Sequence, residues 1–429
     1  LGVSELTPII IMSFNRPHFL EPTLQSLLDQ RDDAIRDREV HLFQDGAVNR
    51  YSHIRYARDE DIDGSVSIFS KAFPKGVIHK SPDNIGIFES FRRAEAFCFR
   101  ERGFNCAYFF EDDLILSPVY LEVMDELKDW AVAEENVAYF AAYGNYYADA
   151  QELRDHKHEL MALDHHWAFG LLREPWKKLQ PLLADYEAIV GGEDYSRRDH
   201  RRVFDLYKNS DIAPRASSQD AAKALACSRL GLWRANTYVP FARYIGTTGQ
   251  HMTPEQFKEL GFERTLMSKD KVRIIPPSGS RVQELIEEQA ALFRSIRAEE
   301  YAGLVEALPN RYLNPLRLCS REDVRYGYEL LLNRPPEDES VYQRLVDHHS
   351  VISFIRGVTG SEEFRGLSLD ERSRLATRED VLYAYRLTLH RDPENEAIFS
   401  SHVGITDARQ LILSIWNSQS RNSLWKTLE

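Results

Sequence analysis

This 429-residue chain predicts an α/β fold: a mostly parallel sheet with helices on both faces, followed by a small all-helical repeat domain. Three observations carry that expectation. Short apolar runs alternate with segments of helical spacing across residues 8–140, the pattern of strand–helix–strand units. Four of the expected strands end on polar or charged residues, at the edge where open parallel sheets hold ligands. Beyond residue 318 the sequence repeats itself at an offset of 57 residues, Ser320 falling on Thr377.

Residues 8–14 (PIIIMSF) are apolar and β-branched, as in a strand buried on both faces, and Asn15, Arg16 and Pro17 end it. Leu20, Leu24, Leu27 and Leu28 follow at helical spacing. A second strand over 40–43 runs into Gln44, Asp45 and Gly46, and a third over 77–79 precedes Ser81 to Gly86. Phe88, Phe91, Ala94 and Phe97 mark the next helix. The fourth strand ends in Glu111, Asp112 and Asp113, and is followed by a helix over 118–133 and a strand over 137–140. Further on, 165–172 reads as a strand, 175–183 as a helix, and Ser217 to Leu225 as a helix with a serine start. Residues 281–299 read as a charged amphipathic helix. The expected domains are 1–275, a helical linker over 276–318, and the repeats over 319–429.

Bulk properties exclude several classes. A net charge of −13 offers no basic surplus for a nucleic-acid backbone. No apolar run reaches the length of a membrane span. Four cysteines, at Cys98, Cys106, Cys227 and Cys319, show no metal-ligand spacing and suit a reducing compartment. A cytoplasmic protein, free or peripheral to the membrane, is expected. The chain opens at Leu1 without a methionine, as a fragment would.

The run Tyr108-Phe109-Phe110-Glu111-Asp112-Asp113-Leu114 is the strongest chemical signal. Carboxylates seldom enter apolar surroundings without a partner. Mg2+ or Mn2+ takes one or two protein carboxylates and fills its shell with phosphate oxygens and water, so such a turn suits a diphosphate-bearing substrate. Alternating side chains point different ways along a strand, so three carboxylates need not be three ligands. The plain alternative is a solvated acidic turn.

With Leu114-Ile115-Leu116-Ser117-Pro118, this run resembles the acidic motif of GT-A nucleotide-sugar glycosyltransferases, whose sheet is Rossmann-like. The Glu-Asp-Asp form is similar to that of the inverting N-acetylglucosaminyltransferase I group. Residues 9–17, Phe43-Gln44-Asp45-Gly46, Asn84-Ile85-Gly86 and His166 to Leu172 with Trp176 resemble other parts of that family, and the likeness spans 8–255. It implies a UDP-sugar donor, Mn2+ or Mg2+, and a hydroxyl acceptor on a glycan or glycoconjugate. It implies Asp113 as the metal ligand, with His251 at the metal and diphosphate, and Asp112 near ribose. Ser13, Asn15, Arg16, Asp45 and Asn84 fall on the nucleotide side, and Glu111 faces the sugar.

An inverting transfer needs a carboxylate base. In the resembled family an aspartate opens a helix about thirty residues before the histidine. Asp220 fits that spacing, but its Ser218-Gln219-Asp220-Ala221 context lacks the family's tryptophan and second acid. Asp194, in Gly191-Gly192-Glu193-Asp194-Tyr195, is the rival, and simple helix capping would also explain Asp220. A metal-dependent nucleotidyltransferase or sugar-phosphate hydrolase remains open, as does a glycan-binding or scaffold protein without catalysis.

In each repeat, Ser320 or Thr377 stands three residues before Asp323 or Asp380, ahead of Val, Tyr and Leu at helical spacing, which marks a capped helix start. Arg334, Pro336 and Glu337 recur as Arg391, Pro393 and Glu394. Residues 328–337 and 385–394 resemble the bacterial DUF4214 helical repeat, which accompanies cell-surface and polysaccharide proteins. Neither copy carries a catalytic constellation, and docking is the expected role.

Overall fold

A computed structural model describes residues 6–31, 33–195, 198–208, 217–249, 252, 254–295, 318–367, 374–389, 392–393 and 395–420. His251, residues 296–317, Arg391 and Glu394 lie outside the described residues.

The first four strands are β1 (Ile9–Ser13), β2 (Val40–Gln44), β3 (Val77–Lys80) and β4 (Cys106–Phe110). They lie side by side and parallel in the order β3-β2-β1-β4. Helices α1 (Pro17–Leu28), α2 (Asp59–Ala72) and α3 (Gly86–Ala96) connect them. Every residue of β1, β2 and β4 is buried, which is why these strands read as unbroken apolar runs rather than alternating ones.

After the acidic turn come β5 (Leu114–Leu116), α4 (Tyr120–Ala133), β6 (Val137–Ala141), α5 (Ala150–Asp155), β7 (Leu160–Ala162) and β8 (Ala168–Leu172). The large helices α6 (Arg173–Val190), α7 (His200–Lys208) and α8 (Gln219–Arg229) precede β9 (Trp233–Thr237) and β10 (Ala242–Tyr244). The sheet continues β4-β8-β6-β9-β7, eight strands in all. β8 is antiparallel to both β4 and β6, and β7 is antiparallel to β9. The expected mostly parallel sheet therefore carries two reversed strands.

That reversal has a consequence for chemistry. Phe110, at the carboxyl end of β4, pairs with Ala168, at the amino end of β8. The segment Asp164 to Trp167 is thereby delivered to the same edge as the acidic turn. β10 pairs antiparallel with β5 as a separate two-stranded sheet, bringing residues 244–246 back over Asp113.

After α9 (Pro254–Glu259) comes α10 (Gly279–Ser295). Its Val282 and Ile286 are buried in the main core, so that body extends past residue 275. A second core gathers Val324, Leu331, Ile355, Val381, Leu387 and Leu411 from the repeats.

The repeats have the expected capped helices, Arg321–Leu332 and Arg378–Leu389. Ser320 and Asp323 exchange side-chain-to-backbone hydrogen bonds, and Thr377 and Asp380 do the same. Arg321 pairs with Glu339 as Arg378 pairs with Glu396. The equivalent rings Tyr326 and Tyr383 stack on each other with centroids 3.7 Å apart, so the two copies meet through the same position of each. Among the described residues, no helix is long and apolar enough to cross a membrane.

Candidate active site

The carboxyl ends of β1, β2, β3 and β4 and the amino end of β8 converge on one edge of the sheet, and the predicted residues divide there by what their side chains touch.

The acidic turn is held from beneath by α1. The buried Thr23 hydroxyl donates to the Asp112 carbonyl at 2.9 Å and accepts from the Leu114 amide at 3.1 Å. Ser26, nearly one turn on, accepts from the Leu116 amide. The strand-to-strand turn is thus fixed by two hydroxyls of one helix face.

Arg16, just past β1, bridges the turn. Its guanidinium pairs with Asp112, and its Nη1 lies 2.8 Å from Asp113 Oδ2. Asp113 also accepts from the Tyr244 hydroxyl. Burial pushes Asp113 up to about 6, against the pull of Arg16. Its other oxygen, Oδ1, is buried and has no hydrogen-bond partner among the described residues. Gly246 completes the cradle: a Cβ there would lie 2.4 Å from both Asp113 Oδ2 and the Tyr244 hydroxyl.

An orphaned carboxylate oxygen in a tight polar recess suits a hard divalent cation that draws its remaining ligands from phosphate and water. Among the described residues no cluster of three His, Cys, Asp or Glu side chains could hold a metal by itself. The fit therefore rests on Asp113, with the substrate completing the shell.

On the β2–β3 side, Asp45 and Asn84 hold each other. The Asp45 carboxylate accepts from the amides of Gly46, Ile85 and Gly86 and from Asn84 Nδ2. Burial pushes Asp45 up to about 6 while those amides pull it down. Gly46 is required here, since a Cβ would lie 2.4 Å from the Asp83 carbonyl carbon. Asp45 and Asn84 thus build the loop floor with acceptors already engaged. Asn15 Nδ2 donates to the Tyr56 carbonyl, and the Ser13 hydroxyl, at the end of β1, is buried without a hydrogen-bond partner among the described residues.

The two candidate bases differ sharply. Asp194 is buried, 1% exposed, and accepts from the hydroxyls of Ser52 and Tyr56. It ties the α6–α7 connection to the loop after β2. Asp220 lies in the first turn of α8, whose start is capped by Ser218, and its side chain keeps 36% exposure. His166 Nδ1 lies 3.5 Å from Asp220 Oδ1. Partial burial raises the Asp220 carboxyl, while Lys223, His165 and Arg234 draw it down.

Glu111 connects the two regions. Burial pushes its carboxyl well above the ordinary range, and the charges of Asp113 and then Asp220 push it the same way. The carboxylates of Asp113 and Asp220 therefore lie within electrostatic reach of one residue.

Sequence reasoning missed several members of this edge. Tyr244, Gly246 and Thr23 shape the acidic turn. His165, Trp167 and Tyr244 form a continuous stack, with centroid spacings of 4.3 and 4.7 Å. Lys223 Nζ lies 2.5 Å from Glu95 Oε1, and Trp176 Nε1 donates to the same carboxylate. This buried group locks α8 to α3 and α6. The only sequence signal for it was a lysine and a glutamate on otherwise apolar helix faces.

No protein-family model matches the chain, and no curated protein matches it in sequence. Solved structures do match, 108 chains in all. One is S. aureus TarS 1–349, with 12% identity and a TM-score of 0.34 over 86% of this chain and 94% of that one. Another is GalNAc-T7 with UDP, GalNAc and Mn2+, with 9% identity and a TM-score of 0.36 over 73% of this chain and 59% of that one.

Proposed function

We propose that the chain is an inverting, metal-dependent glycosyltransferase of GT-A architecture, acting on a UDP-sugar and a hydroxyl of a bacterial surface glycan or glycoconjugate. The observation that carries this reading is the pairing of two unlike carboxylates at one sheet edge. Among the described residues Asp113 has a buried oxygen without a hydrogen-bond partner, and Asp220 is accessible, with Glu111 within reach of both charges.

In this reading Asp113 holds Mn2+ or Mg2+ together with the donor diphosphate, and His251 joins them. The cation would neutralise charge that builds on the leaving diphosphate. Arg16 adds positive charge at the same place. Ser13, Asn15 and Asp112 face the nucleoside, within a pocket whose floor is built by Asp45 and Asn84. Glu111, protonated when its carboxyl is held high, donates to the sugar.

Asp220 takes the proton from the acceptor hydroxyl as that oxygen bonds to the anomeric carbon. The bond from that carbon to the diphosphate oxygen breaks, its electron pair leaves with the diphosphate, and the configuration inverts. Asp194 is the weaker base candidate because its carboxylate is buried and already accepts two hydroxyls. The Glu-Asp-Asp turn favours the N-acetylglucosaminyltransferase I group, and with it N-acetylglucosamine as the sugar. The repeats, with their DUF4214 likeness, serve docking, and the location is cytoplasmic.

A second reading has one observation in its favour. Arg16 spans both Asp112 and Asp113, as in a domain that binds nucleotide or glycan without catalysis. A panel of UDP-sugars incubated with Mn2+ separates the two. Turnover in the native chain, lost in Asp220→Asn with UDP binding retained, supports transfer. UDP binding with no turnover from any donor supports the binding module, and near-normal turnover in Asp220→Asn removes Asp220 as base.

A further inference from the structure

The ring of His166 is enclosed at the site edge with both nitrogens unsatisfied. The residue is 1% exposed, and among the described residues neither Nδ1 nor Nε2 has a hydrogen-bond partner. A neutral imidazole carries one N–H donor and one acceptor nitrogen. Burying both unpaired is costly, and an apolar side chain of similar volume would avoid that cost at the same place.

The surroundings fix where this ring points. The amides of Asp164 and His165 donate to the Tyr143 hydroxyl at 3.1 and 2.7 Å. On the other side, the Trp167 carbonyl accepts from the Glu111 amide at 3.3 Å. The backbone is thus pinned before and after His166. Tyr139 and Phe169 meet its ring edge-on, with centroids 4.7 and 5.4 Å away. Held this way, Nδ1 lies 3.5 Å from Asp220 Oδ1, in the first turn of α8. Burial, then Arg234, Lys223 and His165, keeps the ring neutral, so an uncharged imidazole faces the carboxylate.

We propose that His166 is a positioning residue for Asp220: its Nδ1–H is aimed at Asp220 Oδ1 and orients that carboxylate, leaving Oδ2 for the incoming hydroxyl. A base held in direction by a third group is a recurrent arrangement. The 3.5 Å approach is the open form of the contact, since catalytic hydrogen bonds tighten when the site fills. The ring keeps its own proton, and the proton taken from the acceptor comes to rest on Asp220. The catalytic meaning rests on the reading of Asp220 as base; the facing of Nδ1–H to the carboxylate does not.

The test has two arms on the full chain. The first is nitrogen NMR of the chain labelled with 15N-histidine at about pH 7.5, where a ring of lowered pKa is neutral. The His166 signals are identified by their absence from H166N. The native chain should show the Nδ1–H tautomer, and D220A should move the ring toward Nε2–H, the form a free neutral imidazole prefers. An Nε2–H ring in the native chain, or an Nδ1–H ring indifferent to D220A, overturns the proposal.

The second arm is UDP-sugar turnover. H166L should lower kcat by about 100-fold with the donor KM unchanged. Its melting temperature should be no lower than native, because two unpaired nitrogens are removed. H166N places an amide nitrogen near the position of Nδ1 and should return to within about 10-fold of native. H166Q places its amide near Nε2 and should not recover. D220N/H166L should be no slower than D220N, because His166 acts through Asp220. Equal losses in H166N and H166Q, or a further loss in the double variant, overturn the positioning role. Should H166L fail to fold, H166N against H166Q decides. Near-normal turnover in D220N would remove the base reading while leaving the tautomer result intact.

Discussion

Arg16 Nη1 lies 2.8 Å from Asp113 Oδ2, so one oxygen of the buried Asp113 is claimed by a guanidinium while the other, Oδ1, has no hydrogen-bond partner among the described residues. The carboxylate is half satisfied, and the free half is where a cation would add the most. Asp113→Ala should abolish Mn2+-dependent UDP binding, measured by calorimetry with and without metal. Undiminished metal-dependent binding in that variant would remove Asp113 from the metal role.

The recess around that carboxylate depends on Gly246. Its missing Cβ would sit 2.4 Å from Asp113 Oδ2 and from the Tyr244 hydroxyl, closer than real Cβ contacts come. Gly246→Ala should therefore displace Asp113 or Tyr244 and weaken Mn2+–UDP binding by about 10-fold or more, roughly 1.4 kcal/mol. The residue sits in a loop after a three-residue strand, so the melting temperature should stay near native. Native affinity in Gly246→Ala would show that the recess is not used.

How much of this was legible follows from what each feature depends on. β1, β2 and β4 declared themselves because strands buried on both faces must be apolar throughout. The direction of β8 did not, since Ala168–Leu172 is equally buried and an apolar run carries no sign of its polarity. The acidic turn was legible as consecutive carboxylates, but Gly246 and Tyr244 reach it only through the β5–β10 pairing across more than a hundred residues. Local context left Asp194 and Asp220 both open. They separate on Ser52 and Tyr56, which lie in another loop and engage Asp194. The repeats were legible as an internal offset, yet the stacking of Tyr326 on its own equivalent Tyr383 is a property of the folded pair.

The Glu95–Lys223 pair gives a stability prediction. Both side chains are nearly inaccessible, and among the described residues Trp176 Nε1 offers Glu95 a second side-chain donor. Lys223→Met leaves a buried carboxylate without its cation and should cost about 3–5 kcal/mol in denaturant unfolding. The double variant Glu95→Leu/Lys223→Met removes both charges and should recover most of that loss, because a buried ion pair is often no better than apolar residues of similar volume. A double variant as unstable as the single one would show that the pair specifies packing rather than satisfying charge.

The His41–His79 pair sets a pH window. His41 Nδ1 and His79 Nε2 lie 3.2 Å apart between β2 and β3, with His79 stacked on Phe43 at 4.4 Å. Burial, then His41 and Arg93, lowers His79 to about 4, and burial lowers His41 too, with Glu39 opposing. Below the unfolded histidine value of about 6.5 the unfolded chain binds protons that the folded chain refuses. Stability from the neutral pair is therefore present above that value and is lost as pH falls from about 6.5 toward about 4. His79 is partly open to solvent, so screening reduces its share to roughly 1–2 kcal/mol. His79→Phe keeps the stacked ring and removes the titration, so its stability should fall less steeply than that of the native chain across this window. Parallel slopes for the two proteins between about pH 6.5 and about pH 4 would assign the acid sensitivity to other groups.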